Sequence, residues 1–105
     1  MAEKTIMLCC AAGMSTSLLV SKMQASAKEQ GLDYEIFATA ASDADQQLAT
    51  KKSDVVLLGP QVRYLEAGFK NKLEGTNIPL AVIDMTAYGM MNGPKVLQQA
   101  IDLMK

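Results

Sequence analysis

The chain of 105 residues contains no histidine and no tryptophan, and Arg63 is its single arginine. Without histidine, the chain cannot itself supply the imidazole that most acid–base catalysts, Cys-His pairs and zinc sites use. Any step that needs an imidazole must therefore take it from another protein. This one absence excludes a large share of hydrolase and metalloenzyme mechanisms.

The sequence also has no excess of charge of either sign and no long apolar run. Lys and Arg number 10 and Asp and Glu number 11, so the formal net charge is −1. Such a balance does not indicate a binder of nucleic acid or of anionic membranes. No apolar run approaches the about 20 residues of a membrane span, and the N-terminal run lacks the layout of a signal peptide. We therefore expect one cytoplasmic domain over residues 1–105, monomeric in isolation.

The two cysteines, Cys9 and Cys10, are adjacent. Neighbouring cysteines cannot build a disulfide framework, and the chain has no Cys-x-x-Cys motif of a redox site. Nucleotide-binding signatures are missing too, since neither Gly-x-Gly-x-x-Gly nor Gly-x-x-x-x-Gly-Lys-Ser/Thr occurs.

What the sequence does contain is a regular alternation of short apolar runs with helical patterns. The predicted strands are 5–10, 34–38, 54–58 and 78–83, the predicted helices are about 15–30, 43–50, 61–73 and 94–104, and residues 84–92 are predicted to be a connection. Gly31 fits the helix C-cap position that requires a positive φ.

Strand–helix alternation of this kind predicts an α/β fold, with an open four-stranded parallel sheet covered by helices on both faces. Right-handed crossovers favour the strand order 2-1-3-4, with the first strand central. Ligands of such sheets bind beyond the carboxyl ends of the strands, where the strand order reverses. That point lies beside Cys10, at the end of the first strand.

The segment after Cys10 has the composition of an anion-binding loop. Its small residues allow backbone N–H groups to approach a ligand, and the following helix begins with unpaired N–H groups. Its hydroxyl residues can cap that helix or donate to an anion. The predicted anion-binding residues are Ala11, Ala12, Gly13, Met14, Ser15, Thr16 and Ser17.

Cys10 is the predicted nucleophile. A cysteine beside a helix N-terminus ionises more readily than an ordinary thiol, and the thiolate is the reactive form. Cys9 lies inside the strand and alternates away from Cys10, so we expect it to be a core residue. Two further residues follow strand ends and are candidates to approach the loop or simply to pack there: Gln61 and Tyr88. Asp84 is expected to be an acidic loop or cap residue.

Three segments together resemble a known family. Residues 10–20 read Cys-Ala-Ala-Gly-Met-Ser-Thr-Ser-Leu-Leu-Val, residues 54–61 read Asp-Val-Val-Leu-Leu-Gly-Pro-Gln, and Val-Ile-Asp at 82–84 precedes Tyr88-Gly89. In this register the chain closely resembles the enzyme IIB component of the bacterial phosphotransferase system (PTS), in its lactose/cellobiose/chitobiose branch. The resemblance covers nearly the whole chain.

The resemblance implies a phosphotransfer function. Cys10 would accept a phosphoryl group from a histidine of the IIA protein and pass it to a sugar held by the membrane permease IIC. We expect no cofactor, because the donor is a protein and the sequence contains no recognisable metal site. Met14 is expected either to pack inward or to join a docking surface for IIA and IIC.

The same fold and loop resemble those of low-molecular-weight tyrosine phosphatases, whose loop reads Cys-x5-Arg followed by Ser or Thr. Counting from Cys10, the arginine position is occupied by Thr16. A loop that holds a phosphoryl group with backbone dipoles and hydroxyls favours transfer over hydrolysis. A phosphatase-like hydrolase and a non-catalytic anion-binding module are the alternatives.

Overall fold

The computed structural model describes residues 4–10, 14–50 and 52–104, with the backbone alone at residues 14–16 and 41. The elements are β1 (Lys4–Cys10), α1 (Met14–Glu29), β2 (Tyr34–Ala40), α2 (Ala44–Thr50), β3 (Val55–Leu58), α3 (Glu66–Leu73), β4 (Leu80–Val82), α4 (Met85–Gly89) and α5 (Gly93–Met104). Two 3₁₀ segments, Ala41–Asp43 and Pro60–Leu65, precede α2 and α3.

The four strands form one sheet in the order β2-β1-β3-β4, and every neighbouring pair is parallel. The predicted strand order is therefore confirmed. β1 pairs along both edges, so that Cys9 lies opposite Thr39 of β2 on one side and Leu58 of β3 on the other. A strand paired on both sides is the most restrained position in a sheet, and it ends at Cys10.

The alternation of side chains along β1 divides the interior into two layers. Ile6 and Leu8 lie in a core formed with α1 and α5, whereas Met7 and Cys9 lie in a second core formed with α2, α3 and the 3₁₀ segment before α3. All four residues have no exposed surface. Burial on both faces explains why the strand reads as a continuous apolar run, and it confirms helices on both sides of the sheet.

Three predicted boundaries are wrong, each for a local reason. Residues 61–73 are not one helix, because Val62 has φ −115° and ψ 21° where it packs into the second core, which leaves a 3₁₀ segment before α3. The fourth strand is shorter than predicted, since it begins only after Pro79, which has no N–H to donate. The predicted connection 84–92 contains α4, whose first turn is capped by the Asp84 carboxylate, 2.9 Å from the Ala87 nitrogen.

Helices α1 and α5 pack closely where α5 begins. A Cβ placed on Gly93 would lie 2.6 Å from the Lys22 Cβ, 2.7 Å from the Lys22 carbonyl carbon and 2.9 Å from the Met23 nitrogen. Two of these three atoms belong to the backbone of α1. Any larger residue at position 93 must therefore push the two helices apart.

We predict that Gly93→Ala lowers the free energy of unfolding by about 1–3 kcal/mol, the usual cost of overpacking. The matched control is Gly68→Ala in α3, because a Cβ there meets nothing within 4 Å. That control should raise the free energy of unfolding by about 0.5–1 kcal/mol, since alanine favours a helix over glycine. Urea unfolding of both variants measures the difference, and equal stabilities would contradict the close packing of α1 on α5.

Candidate functional site

The candidate site lies at the carboxyl edge of the sheet, where β1 ends between its two neighbours. The chain leaves β1 toward β2 on one side, and β3 occupies the other side, so the strand order reverses here. Cys10 pairs with Ala40 of β2, and the Gly59 N–H donates to the Cys9 carbonyl at 2.8 Å. The structure thus brings Cys10 to the place where open parallel sheets bind their ligands.

The Cys10 thiol is held at this edge by its neighbours. The residue is 2% exposed, and its Sγ donates to the carbonyl oxygen of Thr39, in β2, at 3.8 Å. Neither Cys10 nor Cys9 forms a disulfide. The sulfur that is predicted to react is therefore a reduced thiol fixed at the sheet edge rather than a side chain on a loop.

Cys9 has a different environment although it is the adjacent residue. Its side chain has no exposed surface and lies in the core between the sheet and α3. Burial, together with the nearby Cys10 thiol, raises the pKa of Cys9 to about 12, against a smaller opposing effect of Lys72. Because the thiolate is the nucleophilic form, Cys9 is inert at neutral pH. Cys10 therefore stays the predicted nucleophile.

The predicted anion-binding residues are only partly described. Ala11, Ala12 and Gly13 lie outside the described residues, so the loop itself stays a prediction. α1 begins at Met14, which places Ser15, Thr16 and Ser17 in its first turn.

The expectation that a hydroxyl residue of this group caps the helix is therefore wrong. The helix begins one residue earlier than predicted, at Met14, and the first N–H groups of a helix have no acceptor within it. Such groups, with the positive end of the helix dipole, favour an anion beside Cys10.

Gln61 lies on the Cys10 side of the sheet edge. A Cβ placed on Gly59 would lie 3.1 Å from the Gln61 Oε1 atom and 3.8 Å from the Cys10 Cβ. The amide of Gln61 and the Cys10 side chain therefore flank the same glycine. The expectation that Gln61 approaches the loop stays a prediction, because residues 11–13 lie outside the described residues.

Asp84 and Tyr88 both belong to the α4 region, and the contacts of both stabilise the fold. Asp84 caps α4 and lies 4.0 Å from the Lys95 ammonium, so the expectation of an acidic cap is correct. Tyr88 is 8% exposed and packs into the core beneath α1 and α5. Arg63 is exposed in the 3₁₀ segment after β3 and does not occupy the loop position that a phosphatase uses.

Sequence reasoning missed an apolar rim around this edge. The exposed large apolar side chains of the described residues are Leu18, Tyr64, Met85 and Met90, at 53%, 75%, 58% and 72% exposure. Each lies in a segment that follows the carboxyl end of a strand.

A signal for this rim was present in the sequence. Tyr64 falls outside the stripe of Val62, Leu65 and Phe69, and Leu18 falls outside the stripe of α1. Apolar residues that miss a helix's buried stripe are candidates for an interaction surface.

Comparison with known proteins identifies the family. Residues 5–99 match the sequence profile described as "PTS system, Lactose/Cellobiose specific IIB subunit". The chain belongs to the lactose/cellobiose-specific IIB family. The family resemblance noted in the sequence is thereby confirmed.

Individual relatives of this IIB protein agree with that assignment. The galactose-specific EIIB component of Lactococcus lactis subsp. cremoris (strain MG1363) is 55% identical over 107 residues, 99% of each chain. The oligo-beta-mannoside-specific EIIB component of Bacillus subtilis (strain 168) is 44% identical over 101 residues, 96% of each chain. The solution structure of the cellobiose-specific IIB component from Borrelia burgdorferi has a TM-score of 0.77 at 38% identity, covering 96% of this chain and 91% of that one.

Metal-binding groups and membrane-spanning helices are both missing from the described part of the chain. Within residues 4–10, 14–50 and 52–104, no group of three or more Cys, Asp or Glu side chains is arranged to hold a metal ion. In the same part of the chain, no helix has both the length and the apolar character needed to cross a bilayer.

We predict that Cys9 makes the stability of the IIB protein fall at alkaline pH. Folded Cys9 keeps its proton up to about pH 12, whereas an unfolded thiol loses it near ~8.5. Above that lower pKa the unfolded state binds fewer protons, so the free energy of unfolding decreases as pH rises. Between about pH 8 and about pH 10.5 the wild type should lose on the order of 2 kcal/mol more than Cys9→Ala.

Urea unfolding at the two pH values measures this difference, and Cys9→Ala serves as the reference in which all other groups still titrate. The same pH dependence in both proteins would show that Cys9 ionises in the folded chain as readily as in the unfolded one.

Proposed function

We propose that this IIB protein carries a phosphoryl group on Cys10 between two partners of a sugar-uptake system. The observation that carries the proposal is the position of Cys10, at the end of a doubly paired central strand with α1 beginning at Met14. A thiolate at that position is a nucleophile, and the backbone N–H groups at the start of α1 stabilise the charge of a phosphoryl group attached to it.

The first step is an in-line displacement on a phosphohistidine of the IIA protein. The Cys10 sulfur attacks phosphorus, the S–P bond forms, the N–P bond breaks, and the imidazole leaves with the bonding electron pair and takes up a proton. These 105 residues contain no histidine, so the donor imidazole must come from outside them. Amides of residues 11–17 would hold the phosphoryl oxygens.

The second step delivers the phosphoryl group to the sugar. A hydroxyl oxygen of a sugar bound by the permease IIC attacks phosphorus, the S–P bond breaks, and Cys10 returns to a thiolate while the hydroxyl proton is released. Relatives that are specific for cellobiose and for oligo-beta-mannoside support a β-linked disaccharide of the lactose/cellobiose/chitobiose class as the acceptor. The transfer needs no metal and no cofactor, and the carrier works in the cytoplasm, peripheral to the permease.

We predict that phosphorylated IIA transfers its phosphoryl group to wild type and to Cys9→Ser, but that Cys10→Ser forms no thiol phosphate. Phosphorus NMR distinguishes an S–P bond from O–P and N–P bonds, and circular dichroism checks that both variants fold. A thiol phosphate in Cys10→Ser would contradict the assignment of Cys10. No adduct in the wild type would favour the anion-binding module instead.

The apolar rim gives the IIA protein a surface to dock on. Leu18, Tyr64 and Met85 are exposed in segments beside the edge that carries Cys10, and a donor must cover this edge to bring its histidine to the sulfur. Exposed aromatic and methionine side chains are typical of protein interfaces. Tyr64, at 75% exposure, is the strongest candidate for a contact of high energy.

We predict that Tyr64→Ser raises the KM for phosphorylated IIA by about tenfold, the effect of losing an aromatic interface contact of moderate strength. The hydrolysis rate of the isolated phosphoprotein should not change, because Tyr64 contacts the partner and not the phosphoryl group. Rapid-quench kinetics measures the transfer, with Gln98→Ala on the exposed side of α5 as the control. An unchanged KM would exclude Tyr64 from the docking surface.

A further inference from the structure

Gly59 is a glycine for reasons of space and not of backbone conformation. Its φ of −61° and ψ of 149° are ordinary extended values that any residue adopts. A Cβ at this position would, however, lie 3.1 Å from the Gln61 Oε1 atom and 3.3 Å from the Cys9 carbonyl oxygen. The missing side chain therefore leaves room for the amide end of Gln61.

That room lies directly beside Cys10. The position of the missing Cβ is 3.8 Å from the Cys10 Cβ and 3.1 Å from the Gln61 Oε1 atom, so the two side chains border the same space. Gly59 itself is buried, whereas Gln61 is exposed. The Gln61 amide therefore lies on the β3 side of Cys10, at the carboxyl edge of the sheet.

The backbone that carries Gln61 is well fixed. The Gly59 N–H donates to the Cys9 carbonyl at 2.8 Å, and the Val62 N–H donates to the Gly59 carbonyl at 3.0 Å. Pro60 restricts φ between them, and the Val62 side chain, 1% exposed, anchors the segment in the second core. The position of the Gln61 Cα is therefore fixed, and binding a ligand costs the rotamer freedom of the side chain but no ordering of the backbone.

We propose that the Gln61 amide donates a hydrogen bond to a phosphoryl oxygen on Cys10. A primary amide has two N–H donors and no charge, and it can turn about its last bond to present them. The inference rests on the proposed function and adds a contact from the β3 side to the donors at the start of α1. It assigns to Gln61, an exposed residue, a direct contact with the phosphoryl group.

The test is phosphoryl transfer from phosphorylated IIA to wild type, Gln61→Ala and Gln61→Glu. Losing a hydrogen bond to a charged acceptor should lower the equilibrium constant for transfer about tenfold in Gln61→Ala. Gln61→Glu keeps the shape of the side chain but replaces the donors by a second anion, so its loss should be larger. The matched control is Gln98→Ala, another exposed glutamine, which should behave as wild type.

A substitution of Gly59 tests the same Gln61 contact in a second way. Gly59→Ala should displace the Gln61 amide and lower the transfer constant, but it should add little in a Gln61→Ala background, because the contact is already lost. The phosphorus chemical shift of the phosphocysteine should differ from the wild-type value in Gln61→Ala and equal it in Gln98→Ala. Urea unfolding confirms that each variant folds.

The possible outcomes separate the two proposals. If the wild type forms a thiol phosphate and Gln61→Ala matches Gln98→Ala in both the constant and the chemical shift, the role of Gln61 is overturned while the carrier function stands. If Gln61→Glu retains wild-type transfer while Gln61→Ala does not, side-chain volume and not hydrogen bonding is responsible, which also overturns it. If the wild type forms no thiol phosphate, both proposals fail.

Discussion

The pairing of β1 on both edges is the constraint on which the site depends. Parallel ladders to β2 and β3 fix the position and the twist of the strand, the first reaching its last residue and the second reaching Cys9. Cys10 is that residue, and so its sulfur is positioned by the sheet rather than by the loop that follows. A nucleophile on such a rigid element does not lose orientation when a partner docks.

The same pairing decides which of two adjacent thiols can react. Because successive side chains of a strand point to opposite faces, Cys9 enters the core under α3 while Cys10 stays at the edge. Burial then disfavours the charged form of Cys9, which raises the pKa of that residue far above neutral pH. A shift of the strand by a single residue would exchange the two environments. The register of β1 is therefore a chemical constraint as well as a structural one.

The sheet and its strand order could be predicted because they follow from patterns that extend over many residues, and so could the position of Cys10 at the end of the central strand. The errors fall where a few local contacts decide. α4 has too few residues to show helical periodicity, and it forms because Asp84 caps it. The helix is interrupted at Val62 because this residue packs into the second core, and no local sequence pattern predicts that contact. The role of Gly59 was hidden for a related reason, since a glycine after a strand predicts a turn, whereas here it leaves room for a neighbour's side chain.

The lack of lysine and arginine in the sequence of residues 11–17 has a consequence for the proposed chemistry. Phosphoryl-transfer enzymes use arginine to stabilise the charge that develops in the transition state, and such a residue would also assist attack by water. Here Thr16 stands at that loop position, and under our proposals the donors are backbone N–H groups and the neutral amide of Gln61. Neutral dipoles would stabilise the phosphoryl group of such a carrier without fully neutralising it, and we expect attack by water to be slow. A carrier needs this balance, because its phosphoryl group must outlast the exchange of one partner for the next.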